Sequence, residues 1–125
     1  MREIKFRAWN APLKKMEYNS LNAIGFDGRV YYGNADITGF FENIMQYTGL
    51  KDKNGREIWD GDIRKDGWGR KFKVVYDNDL AAFYGEYING PSESLADCGP
   101  DSEYLGTVFE NPDLLEAASA NKEEL

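Results

Sequence analysis

Asp60, Asp62 and Asp66 lie close together beside Gly61 and Gly67, and three carboxylates at such spacing suggest a loop for a divalent cation. A calcium loop of the EF-hand type needs oxygen ligands at alternating positions, then a glycine and a distant glutamate. Counted from Asp52, Asn54 fits that frame, but Arg56 and Glu57 stand where an oxygen ligand and the glycine belong. Aspartates next to glycines are also ordinary turn formers, and that reading is preferred. No metal and no cofactor are expected.

A second constellation is basic and aromatic. Arg64, Lys65, Arg70, Lys71 and Lys73 interleave with Trp68 and Phe72. Cations beside an exposed aromatic ring are a common means of holding single-stranded nucleic acid. The plainer alternative is a strand whose wet face carries Lys71 and Lys73 and whose dry face carries Phe72 and Val74. The net charge of −7 works against phosphate affinity, so nucleic acid is the lesser reading.

The charge is unevenly spread. Residues 1–76 hold fourteen Lys/Arg against ten Asp/Glu, whereas residues 77–125 hold one against twelve. Asp77, Asp79, Glu86 and Asp101 belong to this acidic part, which is a candidate contact surface for a basic partner. Ordinary solubility charge is the simpler account of it. The chain has no histidine, which removes the commonest general base and the commonest zinc ligand. Its one cysteine, Cys98, has no cation near it in sequence to make it a nucleophile. A non-enzymatic protein is expected.

The elements that must position these residues read as short strands. Glu3 to Trp9 alternates, with Ile4, Phe6 and Ala8 on the expected inner face. A turn at 10–12 leads into a strand at 15–19, and Asp27-Gly28 marks another hairpin. Residues 36–45 are ambiguous between helix and strand, with a strand favoured from about Ile44. In "LKDKNGREI" a two-residue turn would set Lys53 against Arg56 and Asp52 against Glu57, both like-charged. A three-residue loop with Gly55 left-handed instead sets Asp52 against Arg56, Lys51 against Glu57 and Leu50 against Ile58. That register is chosen.

Further strands are expected at 70–76, with Phe72, Val74 and Tyr76 on one face, at 80–88 and at 104–109. Asn89 to Glu103 reads as a long surface loop, and Asn111-Pro112 as the capped start of a short helix through Leu114, Leu115 and Ala118. Phe6, Ile58, Phe72, Val74 and Val108 are the expected core. Gly turns at this spacing argue for a mainly β fold, a small barrel or sheet-on-sheet core with a short C-terminal helix. Length argues for one domain over 1–125, with an N-terminal β-rich part (1–45) and a second part (46–120).

Three segments, "MREIKFRAW", "MQYTGLKDKNGREIWDGDI" and "GTVFENPDLL", resemble the YopX family of phage and prophage proteins. They occur in the family's order and bracket most of the chain. The resemblance implies an SH3-like barrel in the part holding "DGDI", and a phage or prophage accessory protein without a defined reaction. Its partner would be a bacterial or phage protein. No apolar run approaches membrane-spanning length and the charged start lacks a signal-peptide core, so the bacterial cytoplasm is the expected compartment.

Overall fold

Short β-rich segments separated by Gly turns dominate the chain, and the computed structural model, which describes residues 3–18, 22–39 and 43–115, is mainly β. The chain divides into two compact units, residues 5–46 and residues 1–4 with 47–125.

In the first unit, β1 (Phe6–Asn10) pairs antiparallel with β2 (Lys15–Glu17), Trp9 standing opposite Met16. On its other side β1 meets the first residues of β6 (Ile44–Lys51), Arg7 opposite Met45. A separate sheet is built from β3 (Asn22–Ile24), β4 (Val30–Tyr32) and β5 (Ala35–Asp36). The ambiguity over 36–45 resolves as a turn at 38–39 and a strand from Ile44; residues 40–42 lie outside the described set. The faces of β1 differ from expectation. Ala8 is buried as expected, but Ile4 and Phe6 are exposed and Arg7, expected outside, is buried, with its Nη1 donating to the Tyr18 hydroxyl at 3.3 Å. Arg7 and Ala8 are neighbours on opposite faces, so both sides of the strand are covered at its middle, which period-two alternation does not foresee.

In the second unit the later residues of β6 pair with β7 (Glu57–Trp59). A five-stranded sheet, curled into a half-barrel, runs in the order β11 (Glu93–Ser94), β10 (Ala82–Tyr87), β9 (Lys71–Asp77), β8 (Asp62–Lys65), β12 (Glu103–Thr107). Its core is Ile58, Phe72, Val74, Tyr87, Leu95 and Cys98, with Leu50 and Phe83 against it. The expected burial of Ile58, Phe72 and Val74 is borne out. Val108 is only half-buried, because the strand ends at Thr107 and Val108 enters a turn. Tyr76 shares the dry face of β9 but lies past the end of the core; it is 45% exposed and packs edge-on against Phe83 at 5.1 Å.

The segment 89–103 is not the bare surface loop expected. It contains β11 and a one-turn helix, α1 (Leu95–Cys98), whose Leu95 and Cys98 enter the core. Their separation of three residues brings both onto one side of the turn.

The turn after β6 has the chosen register. Asp52 N–H donates to Arg56 O at 2.9 Å, Gly55 N–H donates to Asp52 O at 2.9 Å, and Lys51 stands opposite Glu57. Leu50 and Ile58 are not a simple ladder pair, because the register shifts between Tyr47 and Lys51. Gly55 has φ +82 with open space around its α-carbon. Gly55→Ala should therefore cost about 1 kcal/mol or somewhat more through backbone strain alone, and Asn54→Ala less. Denaturant melts in which both variants match the parent would contradict this assignment.

The "GTVFENP" segment closes on itself after β12. The Asn111 carboxamide accepts the Thr107 N–H at 3.3 Å, and the Glu110 N–H donates to the Thr107 hydroxyl at 3.0 Å. A Cβ at position 106 would collide with the Asn111 side chain, so glycine is required there. Asn111 is thus not a side-chain cap for the helical turn at 113–115; the rest of the expected helix, Ala118 included, lies outside the described residues.

Candidate functional site

The turn between β8 and β9, Asp66-Gly67-Trp68-Gly69-Arg70, repeats the turn Asp52-Lys53-Asn54-Gly55-Arg56 bond for bond. Asp66 N–H donates to Arg70 O at 2.9 Å and Gly69 N–H to Asp66 O at 3.0 Å. The Asp66 carboxylate accepts the N–H groups of Trp68 and Arg70, both at 2.9 Å, as Asp52 accepts those of Asn54 and Arg56. Gly69, like Gly55, is left-handed, at φ +82. The signal was present in the sequence as a repeated Asp-x-x-Gly-Arg, but the readings above treated the two turns separately.

What each aspartate does with its second oxygen differs. Asp52 turns inward, where Arg64 Nη1 donates to it at 3.1 Å and also to Ser102 Oγ at 3.1 Å. Asp62 accepts the Trp59 N–H at 2.9 Å and stands 3.8 Å from Arg64 Nε. Arg64, Asp62 and Ser102 are essentially inaccessible to solvent. Arg64 is therefore removed from the basic surface expected above: it knits the interior and cannot touch a ligand.

Asp66 instead turns to the surface, taking Arg70 Nε at 2.9 Å and the Tyr87 hydroxyl at 2.8 Å. Arg70 lies over the Tyr87 ring, 4.7 Å from its centroid. The Tyr87 bond joins the 66–70 turn to the strand that leads into the 88–92 turn. An open cleft of about 330 Å³ results, lined by Gly69, Arg70, Lys71, Tyr87 and residues 88–91. Trp68 stands next to it in the chain with 86% of its surface exposed.

Burial alone would raise both aspartates, but it is outweighed. For Asp52 the Arg64 guanidinium and the N–H groups of Arg56 and Asn54 hold the carboxyl below its ordinary value. For Asp66 the N–H of Arg70 and the Tyr87 hydroxyl lead the same effect. A carboxyl depressed in the folded chain stabilises it fully above the unfolded pKa, and that contribution is lost as pH falls through the folded value. Unfolding free energy should thus decline below about pH 4, and Asp66→Asn should shallow the decline. An unchanged acid slope in denaturant melts of Asp66→Asn would contradict this. Burial, with Glu93 nearby, pushes the Cys98 thiol up to about 11, so it stays protonated at neutral pH.

The remaining basic candidates are exposed or half-exposed, but acidic neighbours answer most of them. Lys65 stands 3.9 Å from Glu103, Arg70 3.7 Å from Glu93, and Lys73 3.5 Å from Glu86. Lys71 reaches the Leu114 carbonyl at 3.4 Å. Glu86 belongs to the candidate acidic surface, yet it is the cross-strand neighbour of Lys73, so the two surfaces interlock rather than oppose. Asp77 accepts the Asp79 and Leu80 N–H groups in the turn after β9; Asp79 and Asp101 are exposed. Asp62 and Asp66 are each committed as described, and among the described residues no group of three His, Cys, Asp or Glu is arranged to hold a metal. No helix among the described residues is long and apolar enough to cross a membrane.

A family model described as YopX protein matches residues 5–116. The crystal structure of protein EF1440 from Enterococcus faecalis is similar over 92% of this chain and 99% of its own, with 28% identity and a TM-score of 0.58. No curated protein matches the chain.

Proposed function

The chain belongs to the YopX protein family, and on that premise we propose that it is a non-enzymatic binding protein, encoded by a phage or prophage and acting in the bacterial cytoplasm on a bacterial or phage protein. We read the curled sheet of the second unit as an SH3-like barrel that presents the binding surface, and the β-hairpins of residues 1–45 as additions to it.

One observation carries the binding role. The same turn occurs twice, with Asn54 at its third position in one copy and Trp68 in the other, so the turn itself has no need of an aromatic. An indole 86% exposed contributes little burial to the fold. It is held in place by a backbone that Asp66 fixes, which favours a recognition role, since a rigid aromatic loses little entropy on contact. The ion pairs around it disfavour a polyanionic ligand.

The test is capture from a bacterial lysate, with and without nuclease, by the parent chain and by Trp68→Ala. Because Trp68 is so exposed, its replacement should shift stability by less than about 0.5 kcal/mol. The expected result is a captured protein that resists nuclease and is lost with Trp68→Ala. Capture that survives Trp68→Ala but fails when Asp77, Asp79 and Asp101 are neutralised would move the site to the acidic surface. Nuclease-sensitive capture would make this a nucleic-acid module.

A further inference from the structure

We propose that Asn89 is a site of spontaneous covalent modification. It closes onto the Gly90 nitrogen and converts to isoaspartate or aspartate, which adds a negative charge to the cleft, while Asn54 is kept intact by its turn. The inference stands apart from the binding role of Trp68.

The chain has two Asn-Gly steps, Asn54-Gly55 and Asn89-Gly90, and all four residues are exposed. Asparagine is among the thermolabile residues. Glycine after it makes the step reactive, because without a Cβ its nitrogen approaches the preceding carboxamide freely. In the reaction the Gly90 nitrogen gives up its proton and attacks Asn89 Cγ. A C–N bond forms, the bond from Cγ to the side-chain nitrogen breaks, and that nitrogen leaves with the proton as ammonia. Water then opens the five-membered imide at one of its two carbonyls. Opening at the backbone carbonyl leaves isoaspartate, with the chain running through the side chain; opening at the other gives aspartate.

Accessibility does not separate the two steps, but hydrogen bonding does. Gly55 N–H donates to Asp52 O at 2.9 Å, and the Asp52 carboxylate takes the N–H groups on either side, of Asn54 at 2.9 Å and Arg56 at 3.0 Å. Gly55 is also left-handed, at φ +82. Turning its nitrogen towards Asn54 Cγ would break this clamp. The 88–91 turn has no such clamp. The backbone bond entering it, Ile88 N–H to Lys71 O, is long at 3.4 Å, and pairing resumes only at Glu93 opposite Gly85. Among the described residues no hydrogen bond of ordinary geometry holds the Gly90 N–H or the Asn89 carboxamide. Gly90 is not left-handed, and a Cβ built on it would meet only the Tyr87 Cβ, at 3.8 Å.

Asn89 lines the cleft together with Arg70 and Lys71. Conversion therefore replaces a neutral amide beside these cations with a carboxylate, and isoaspartate also lengthens the backbone of that wall.

The experiment incubates the full chain in warm, mildly alkaline buffer beside synthetic peptides spanning 50–58 and 85–93. Peptide mapping by mass spectrometry and isoaspartate methylation follow each asparagine. The peptides report what neighbouring residues do without the fold. Asn89 should convert within about threefold of its peptide rate, whereas Asn54 should be slowed about tenfold or more, because its turn must first lose a hydrogen bond. Gly90→Ala should slow conversion at position 89 about tenfold and leave the melting temperature close to the parent's. Converted chains should elute as a more acidic species on ion exchange, and Asn89→Gln should remove most of it. Asn89 protected as strongly as Asn54 would overturn the proposal, as would Asn54 converting at its peptide rate. An acidic species undiminished in Asn89→Gln would overturn it too.

Discussion

Replacing Arg64 by Ala should lower the unfolding free energy by about 3–5 kcal/mol, a loss comparable to much of a small domain's stability. The guanidinium donates to Asp52 and Ser102 at 3.1 Å each, lies 3.8 Å from Asp62, and has Nη2 at 3.5 Å from the Glu57 carbonyl. Without it two buried carboxylates lose their cation in a region that water does not reach. A buried ion pair need not add net stability over an apolar replacement, but breaking one strands the survivors, and here there are two. Arg64→Lys should recover little, since a single ammonium cannot span partners reached by separate guanidinium nitrogens. A triple variant, Arg64→Met with Asp52→Asn and Asp62→Asn, should lie well above Arg64→Ala. Chemical denaturation reads all three. An Arg64→Ala variant within 1 kcal/mol of the parent would show that the network is ornamental.

Phe72→Ala is the other large effect. The ring is fully buried, 5.2 Å from the Tyr87 ring, and packs with Ile58, Val74 and Leu95. Such truncations cost about 3–5 kcal/mol, from lost transfer free energy and from the cavity left behind. Phe72 and Cys98 together crowd Gly85 on the neighbouring strand, where a Cβ would sit 2.6 Å from the Cys98 Sγ and 2.8 Å from the Phe72 ring. Gly85→Ala in the Phe72→Ala background should therefore cost less than in the parent, a coupling that a double-mutant cycle measures. Additive costs would mean that the Cys98 Sγ, not the ring, sets the cost of a Cβ at position 85.

How far this was legible in the sequence depends on how local each cause is. The register of 51–57 was readable because opposed charges and a left-handed glycine act within a few residues. Strand β9 was readable because Phe72 and Val74 alternate with lysines. The fate of Arg64 was not, since its partners Asp52 and Ser102 are distant in sequence and only the closed sheet brings them together. Its neighbours Lys65 and Asp66 made it look wet. On β1, Ala8 was placed correctly but Phe6 and Arg7 were not, for a related reason: alternation defines two sides, and burial is decided by what else is present to cover them. The cleft was half visible. Trp68 was singled out for its company of cations, yet most of those cations turned out to have acidic neighbours, and the residues that shape the cleft lie in the 88–91 turn.

The doubled turn also divides labour among its five residues. The first supplies the carboxylate, the fourth the left-handed bend and the fifth an N–H and a carbonyl, while the second and third take no side-chain part in closing it. Those two are a cassette: Lys53-Asn54 in one hairpin, Gly67-Trp68 in the other. Exchanging the pairs should leave both hairpins closed and carry the indole from one site on the sheet to the other. The side chains displayed at two positions of each hairpin can therefore be rewritten without renegotiating the frame.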